Sequence, residues 1–423
     1  MMTLIANSSD RPTRRQFLHR LAGTAAACMP LACMTEPRLS GAPSKADLID
    51  KITRKVLWPG RRDGYSWFHP RVCMIPGPKN PVALMTTQKI TGSDYYHAVH
   101  WSVSSDLGKS WTEPKPIPGL SRRTISDNVQ EGVCDVVPDY HPQTRTVLAI
   151  GHNVWYQEGR LMRTQRSRFP VYVVRHQNGT WSEKRILQWK DSRTFSIYTC
   201  GCGQRVTLPD GNLIIPFSLG FSGRNDRAVT SALCTFDGNE IRMIELGNEL
   251  TNKTKRGLLE PSLTTSNNRY YMTIRAEDNR GYVCSSDDGL NWSQPQPWSW
   301  GDGKPLTMST TQQHWLVHNE QLFLVYTRKA EENVNVFRWR APLYIAAVDT
   351  ESMRLIRETE RIVLPLIGDG IRDAANVARM GNFHAVNATA NESWVTVGEC
   401  LPGKRFTGDT LMAKIHWSRL NKM

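Results

Sequence analysis

The side chains with the clearest chemical potential in this 423-residue sequence are arginines accompanied by carboxylates. Glu260 precedes Arg275 in one segment, and Arg71 and Asp94 lie in two earlier segments. Arginines that share a pocket favour bidentate recognition of a carboxylate, such as that of a sialic or uronic acid. A pair of carboxyl groups, here Asp94 and Glu260, is typical of glycoside hydrolysis. These residues predict one chemistry, the hydrolysis of an acidic sugar.

Histidine and tyrosine side chains predict a second chemistry, elimination at a uronate. In that reaction an arginine neutralises the carboxylate, while a histidine or tyrosine removes the α-proton and protonates the leaving oxygen. The candidates are dispersed along the chain: His97, His100, His141, His152, Tyr198 and His384. A structural role is the alternative for each histidine, and a salt bridge or a turn is the alternative for the arginines and for Glu260.

Short β-rich runs separated by turn signals must position these side chains. Dipeptides such as Asp210-Gly211 and Asp237-Gly238 are typical of hairpin turns. One segment, Lys45–Lys55, predicts a helix with Ser44 as its N-cap. Since no linker-like change of composition follows it, we expect one large all-β domain. The apolar runs are residues 82–85, 147–150, 171–174, 213–217, 270–274, 322–326 and 343–348.

An internal repeat gives the strongest indication of architecture. The segments SSDLGKSW (residues 104–111) and SSDDGLNW (residues 285–292) share the pattern S-x-D-x-G-x-x-W. Serine and aspartate can hydrogen-bond the backbone of a turn, glycine can adopt positive φ, and tryptophan can anchor the turn between strands. A degenerate third copy is Gly179-Thr180-Trp181. The pattern predicts repeated hairpins of the same kind.

This repeat resembles the Asp boxes of the sialidase superfamily, which mark hairpins in the blades of a β-propeller. The resemblance covers residues 60–420 and implies an all-β, six-bladed propeller of sialidase type, with seven blades left open. The chain before it is divided into a signal segment at residues 1–34 and a lead-in with the short helix at residues 35–59. The Asp box specifies a fold more strongly than an activity, because propellers host many functions.

The family's catalytic groups are transferred to this chain segment by segment. FHPRV (residues 68–72) resembles the N-terminal arginine motif, which makes Arg71 the first arginine of a substrate-carboxylate clamp. GSDY (residues 92–95) lies where the family has its acid/base, which implies that role for Asp94. EPSL (residues 260–263) and YMTIR (residues 271–275) resemble the family's glutamate motif and second arginine, Glu260 and Arg275.

Two parts of the family pattern, the third arginine and the nucleophilic tyrosine, have no single matching residue in this chain. The third arginine is Arg328, Arg338 or Arg340. Where the family has its nucleophilic tyrosine, this chain reads GNFHAV (residues 381–386), which contains His384 and no tyrosine. Tyr326 is the substitute if the blades align with a shift. The missing tyrosine leaves both the two-carboxylate hydrolysis and the elimination open.

The N-terminus and the charge indicate where the protein works. TRRQFLH (residues 13–19), followed by an apolar stretch too short to span a bilayer, resembles a bacterial twin-arginine export signal. Cys28 or Cys33 as a lipid anchor is the alternative. The formal charge is +14, and about +11 remains when residues 1–34 are removed. We expect a periplasmic or extracellular protein with an anionic partner and no transmembrane helix.

Three function classes follow from these patterns. The first is a sialidase-like hydrolase that releases terminal acidic sugars, the second is a uronate polysaccharide lyase, and the third is a non-catalytic glycan-binding propeller. Nucleic acid is not an expected partner, because the basic residues are dispersed and no recognition motif is present. We expect a monomer without cofactor, and no metal, because Cys200-Gly201-Cys202 has no second pair at zinc-like spacing. Free buried thiols are the expected state of the seven cysteines beyond residue 34.

Overall fold

The protein folds as a six-bladed β-propeller, which confirms the predicted fold. The computed structural model describes residues 48–62, 65–162, 166–189, 195–221, 223–401, 403 and 406–422. All pairings between its strands are antiparallel, with consecutive strands joined mostly by tight turns. No helix in these ranges is long and apolar enough to cross a membrane.

Blades 1 to 3 follow the chain from the first inner strand. Blade 1 consists of β2 (Ser66–Ile75), β3 (Val82–Ile90), β4 (Tyr96–Ser104) and β5 (Lys115–Pro116). Blade 2 consists of β6 (Arg123–Ser126), β7 (Val129–His141), β8 (Thr146–Gln157), β9 (Arg160–Leu161), β10 (Pro170–Arg175) and β11 (Arg185–Ile186). Blade 3 consists of β12 (Phe195–Thr199), β13 (Val206–Thr207), β14 (Leu213–Phe221), β15 (Arg227–Phe236), β16 (Ile241–Leu246) and β17 (Leu250–Thr251).

Blades 4 to 6 complete the ring. Blade 4 consists of β18 (Leu258–Ser266), β19 (Arg269–Ala276), β20 (Gly281–Ser286) and β21 (Gln296–Pro297). Blade 5 consists of β22 (His314–His318), β23 (Gln321–Tyr326), β24 (Leu343–Asp349), β25 (Arg354–Leu355) and β26 (Arg361–Leu364). Blade 6 consists of β27 (Phe383–Thr389), β28 (Glu392–Gly398), β29 (Thr410–Trp417) and β1 (Ile49–Trp58). The short 3-10 helices described are Glu331–Asn333, Phe337–Trp339, Arg357–Thr359 and Ala374–Asn376.

The ring is closed by the N-terminal strand, which corrects the helix predicted for Lys45–Lys55. From Ile49 onward this segment is β1, the outer strand of blade 6, and it pairs with β29 from the other end of the chain. Ile52 is opposite Ile415 in that pairing. Local propensity favoured a helix, but the unpaired edge of β29 offers a full ladder of hydrogen bonds to an extended segment. The propeller therefore begins at β1, before residue 60.

The hydrophobic core is divided among the gaps between neighbouring blades. One large cluster joins blades 5 and 6 and contains Phe323, Phe383 and Trp417, and separate clusters join blades 2 and 3, 3 and 4, and 4 and 5. Burial of apolar area between blades supplies the main favourable free energy of such a ring. All seven cysteines in the described residues are buried and free, so thiols contribute to the core as expected.

The Asp boxes connect each hairpin to the preceding blade. In the first box, Ser104 Oγ donates to Asp106 at 2.8 Å and accepts from the Gly108 N–H at 2.8 Å. In the second box the same contacts are made by Ser286 and Asp288, one residue later than the sequence pattern suggested. Trp292 Nε1 donates to Ser231 in blade 3 at 2.8 Å. The degenerate copy also behaves as a box, because Trp181 packs on Trp101 of blade 1.

Candidate active site

A cavity of about 720 Å³ opens at the propeller axis, and residues from all six blades line it. Seven arginines and four carboxylates are among the lining residues. The arginines are Arg168, Arg227, Arg256, Arg275, Arg338, Arg340 and Arg379, and the carboxylates are Asp94, Asp135, Glu260 and Glu277. The residues predicted from sequence that meet here are Asp94, His152, Glu260, Arg275, Arg338 and Arg340. The formal excess of three positive charges in one enclosed space favours anions.

Bulges in three inner strands, β2, β7 and β18, set the positions of three side chains. The pairing is interrupted between Phe68 and Arg71 in β2, between Cys134 and Val137 in β7, and between Leu259 and Ser262 in β18. Each bulge contains one residue in the left-handed region: His69, Asp135 and Glu260, with φ of 53°, 58° and 46°. Such strained non-glycine residues concentrate at functional sites, and bulges re-aim side chains.

Glu260 and Arg275 form an ion pair across β18 and β19. Arg275 Nη1 donates to both carboxylate oxygens of Glu260 at 2.6 Å, and Arg275 Nε donates to Thr310 Oγ1 at 2.9 Å. Burial disfavours the charge of Arg275, yet Glu260 outweighs it and raises the arginine pKa. The glutamate that the family resemblance pairs with a tyrosine is here engaged by an arginine.

Asp94 and Tyr96 supply the hydroxyl–carboxylate pair of the cavity. Tyr96 donates to Asp94 Oδ1 at 3.0 Å, and Asp94 lies exposed in the turn before β4. Burial, followed by the charges of Asp94 and Asp135, raises the pKa of Tyr96 well above its ordinary value, so its hydroxyl stays protonated. Among the described lining residues Tyr96 is the only tyrosine, while Asn382 lies near the position where the family resemblance calls for one.

Arg340 is a cation without an anionic partner among the described residues. Its Nε donates to Thr311 Oγ1 at 2.8 Å and its Nη2 donates to the Thr310 carbonyl at 3.2 Å. Burial, followed by Arg275 and Arg338, lowers the pKa of Arg340 to about 9, so the guanidinium is still charged at neutral pH. A desolvated charge of this kind gains most from a bound anion. Arg340 is thus the best carboxylate-binding candidate for the third arginine.

Arg71 lies beneath the cavity and does not line it. Its side chain is 0% exposed, and it donates to Asp135 Oδ1 at 2.9 Å, to the Cys202 carbonyl at 2.8 Å and to Gln312 Oε1 at 3.3 Å. The structure does not bring Arg71 to the cavity surface where the sequence places a substrate clamp, because its side chain is fully buried. It acts as a support that orients Asp135 and Gln312, which do line the cavity.

Tyr326 and Arg328 form a second charged group away from the cavity lining. Tyr326 donates to Glu360 Oε1 at 2.5 Å, and Arg328 donates to both Glu360 oxygens at 2.8 and 2.6 Å. Tyr326 is fully buried in the cluster between blades 4 and 5. The structure therefore does not place Tyr326 as nucleophile or Arg328 in the substrate clamp, since both are committed to Glu360.

The histidines proposed for elimination separate into two sets. His152 lines the cavity and lies 3.7 Å from Asp135, and burial followed by Arg168 lowers its pKa well below the ordinary value. His384 lines a separate 160 Å³ cavity, with its Nδ1 3.3 Å from the Val72 N–H. His141 bonds Thr144 and the Gly211 carbonyl. His97, His100 and Tyr198 likewise do not appear among the residues that line the 720 Å³ cavity.

Sequence reasoning missed the roles of His69 and Asp135. His69 Nε2 lies 3.5 Å from Asp135, and burial lowers the pKa of His69 to about 4. Ligand atoms of Cys134, Asp135 and His152 lie within 4.8 Å of one another, but Arg71 occupies Asp135 and burial raises the Cys134 thiol pKa, so the group suits a cation poorly. The only signal that could have identified Asp135 was its position. It occupies the bulge of β7 in the same way that Glu260 occupies the bulge of β18.

Comparisons with known proteins agree with this architecture. A family model described as "BNR repeat-like domain" matches residues 98–358, which are more than half of the chain. No curated protein matches the sequence. Among solved structures, Trypanosoma rangeli sialidase has a TM-score of 0.61 at 15% identity over 88% of this chain and 60% of that chain. The chain thus spans about 60% of the length of that sialidase.

Two other structures extend the comparison. The Hadza microbial sialidase Hz136 has a TM-score of 0.62 at 12% identity, over 86% of this chain and 68% of that chain. A Dyadobacter fermentans DSM 18053 protein of unknown function has a TM-score of 0.56 at 12% identity, over 86% of this chain and 99% of that chain. These likenesses show the sialidase-like propeller fold. On the sequence match, the chain belongs to the BNR repeat-like domain family.

Proposed function

We propose that this protein is an exported, sialidase-like glycosidase that cleaves the glycosidic bond of a carboxylate-bearing sugar. One observation carries the proposal: Arg340, a cation with no ion pair among the described residues, and the Asp94–Tyr96 pair line the same axial cavity. The structural relative from Trypanosoma rangeli has been solved with sialic acid, which supports an acidic sugar as ligand. The N-terminal resemblance to a twin-arginine signal supports export.

Binding and chemistry are divided among different side chains. Arg340 and Arg338 hold the sugar carboxylate, because both line the cavity and neither has an ion pair among the described residues. Asp94 gives a proton to the glycosidic oxygen as the bond to the anomeric carbon breaks. A water molecule adds to that carbon and its proton passes to Glu260, the second carboxylate of the pair.

The test is cleavage of a panel of sialylated and uronate-containing glycans, with the released sugars identified. We expect Asp94→Asn to lower kcat by about 100-fold or more, since general acid catalysis contributes about 100- to 10,000-fold. Asp287→Asn is the matched control, because Asp287 is 91% exposed and does not line the cavity. Full activity of Asp94→Asn, or binding of acidic glycans without turnover by the unmodified protein, would contradict the proposal.

A second candidate function, elimination at a uronate, is favoured by one observation. A neutral histidine, His152, and a protonated tyrosine, Tyr96, line the cavity together and match the base and acid that elimination requires. The two reactions leave different products. An unsaturated, ultraviolet-absorbing uronate in the same panel identifies elimination, whereas a saturated sugar identifies hydrolysis.

A further inference from the structure

The cavity contains a second group of arginines on the side of blades 2 to 4. Arg168 precedes β10, Arg227 begins β15 and Arg256 precedes β18, and all three line the cavity. The Arg227 N–H donates to the Arg256 carbonyl at 2.9 Å, which fixes these two residues side by side. The proposed carboxylate clamp, Arg338 and Arg340, comes instead from the connection between β23 and β24 in blade 5.

The charge of this second group is only partly neutralised. Arg256 donates to Glu277 Oε1, with Nε at 3.0 Å. In the described residues, neither Arg168 nor Arg227 has an ion pair, and Arg168 Nε donates to the Asn153 carbonyl at 3.2 Å. Burial, followed by Arg168 and Arg256, lowers the pKa of Arg227 to about 10. Among the described residues, two cavity-lining guanidinium groups therefore have no carboxylate in an ion pair with them, although the charge of Glu260 acts on Arg227.

The second group is electrostatically distinct from the carboxylate clamp. The charges that act most strongly on Arg227 are those of Arg168, Arg256, Glu260 and Arg275. For Arg340 they are those of Arg275, Arg338, Glu260 and Asp94. Glu260 and Arg275 are the two residues common to both sets, and they form an ion pair with each other.

Hydrogen-bond donors complete the second region. Ser218 lines the cavity and its Oγ accepts from the Glu260 N–H at 2.9 Å, which leaves its own proton for an acceptor. The guanidinium of Arg227 presents five N–H groups in a planar fork suited to an oxyanion. Sulfate, a sulfate ester and a carboxylate all present the oxygens that such a fork binds.

We propose that Arg168, Arg227 and Ser218 form a second anion subsite, which binds a second negatively charged group on the same glycan. The ligand is then a doubly anionic sugar segment, with one carboxylate at Arg340 and a sulfate ester or second carboxylate at Arg227. This inference rests on the proposed function for the identity of the ligand as a glycan. The existence of the subsite is independent of turnover.

Calorimetric titration with inorganic sulfate tests the subsite directly. We expect two bound sulfates in the unmodified protein, one in Arg227→Gln, one in Arg340→Gln and none in the double variant. Arg242→Gln is the control, because Arg242 is 70% exposed on β16 and lies outside the cavity lining. The inference is overturned if Arg227→Gln binds the same number of sulfate ions as the unmodified protein, with the same affinity. Arg168→Gln gives an independent reading if Arg227→Gln does not fold.

Matched glycans then identify the second anionic group. Each pair differs only in one sulfate ester or one additional carboxylate beside the sugar acid. We expect the group that fits to improve binding by about tenfold or more, equivalent to about 1.4 kcal/mol, and Arg227→Gln to abolish only that gain. Equal binding of all pairs by the unmodified protein overturns the subsite. Sulfate binding at both sites without cleavage of any glycan contradicts the proposed function and leaves the subsite intact.

Discussion

Two arginines of blade 5, Arg328 and Arg340, occupy opposite electrostatic situations although only twelve residues separate them. Arg328 donates to both oxygens of Glu360 and lies over the rings of Trp300 and Tyr344. Burial disfavours its charge, but Glu360 outweighs that and raises the Arg328 pKa. For Arg340 burial is reinforced by neighbouring arginines, and its pKa falls.

The difference shows how a structural arginine is distinguished from a binding one. A charge that the fold needs is supplied with its own counter-ion, as Glu360 is for Arg328. A charge held for a ligand lacks that partner and costs folding free energy until the ligand binds. Both residues were equal candidates for the third arginine of the clamp, and only their partners separate them.

Removing the charge of Arg340 should have the largest effect. We expect Arg340→Gln to lower kcat/KM for an acidic glycan by about 100-fold or more, since an electrostatic donor in a desolvated site contributes about 100- to 1,000-fold. Its Tm should be unchanged or higher, because a partly buried charge without an ion pair is lost. Kinetics on the cleaved glycan and thermal unfolding measure both effects. Unchanged kcat/KM, or a marked fall in Tm, would refute the assignment of Arg340 to binding.

The same substitution at Arg328 should give the opposite result. We expect Arg328→Gln to reduce the free energy of unfolding by about 2 kcal/mol or more, because Glu360 loses the partner of a largely buried ion pair. The activity of the folded fraction should stay within about twofold of that of the unmodified protein. The reason is that Arg328 does not line the cavity, so its substitution removes no catalytic or binding group there. Denaturant unfolding and kinetics measure the two quantities, and a loss of activity at undiminished stability would abolish the distinction between these arginines.

A conservative substitution should have the smallest effect and sharpen the comparison. Arg340→Lys keeps the positive charge but loses the planar fork, so we expect a fall in kcat/KM of about tenfold, which corresponds to 1.4 kcal/mol. The control is Arg242→Lys on the exposed outer strand of blade 3, which should leave kcat/KM unchanged. If Arg340→Lys is as inactive as Arg340→Gln, geometry and not charge dominates the contribution of Arg340.

Much of the fold was predictable, because its signals are local. The Asp-box turns at Asp106 and Asp288 are specified by side chains that bond backbone two to four residues away, so a short pattern is sufficient. Within the second box the pattern selected Ser285 and Asp287, but Ser286 and Asp288 make the contacts, because the bonded serine and glycine are three residues apart there and four apart in the first box. The N-terminal strand was not predictable, because its partner is β29, at the other end of the chain.

The candidate site was predictable only in part. Three residues that line the cavity lie in segments resembling family motifs: Asp94, Glu260 and Arg275. Arg340, a candidate for the third arginine of the clamp, also lines it. Arg71 matches a motif equally well and is nevertheless fully covered, because burial depends on Asp135, Cys202 and Gln312 from other blades. Arg168 and Arg227 carry no motif, and no sequence pattern marked them.

By itself the sequence determined the apolar strands, the Asp-box turns and therefore the class of propeller, since alternating apolar residues and turn side chains act over a few positions. Which charges meet at the axis was decided by the tertiary structure, because the ring brings together six segments spread over more than 280 residues, from Asp94 to Arg379. Whether an arginine is paired depends on carboxylates that are distant in sequence. For that reason the fold alone distinguishes Arg340 from Arg328.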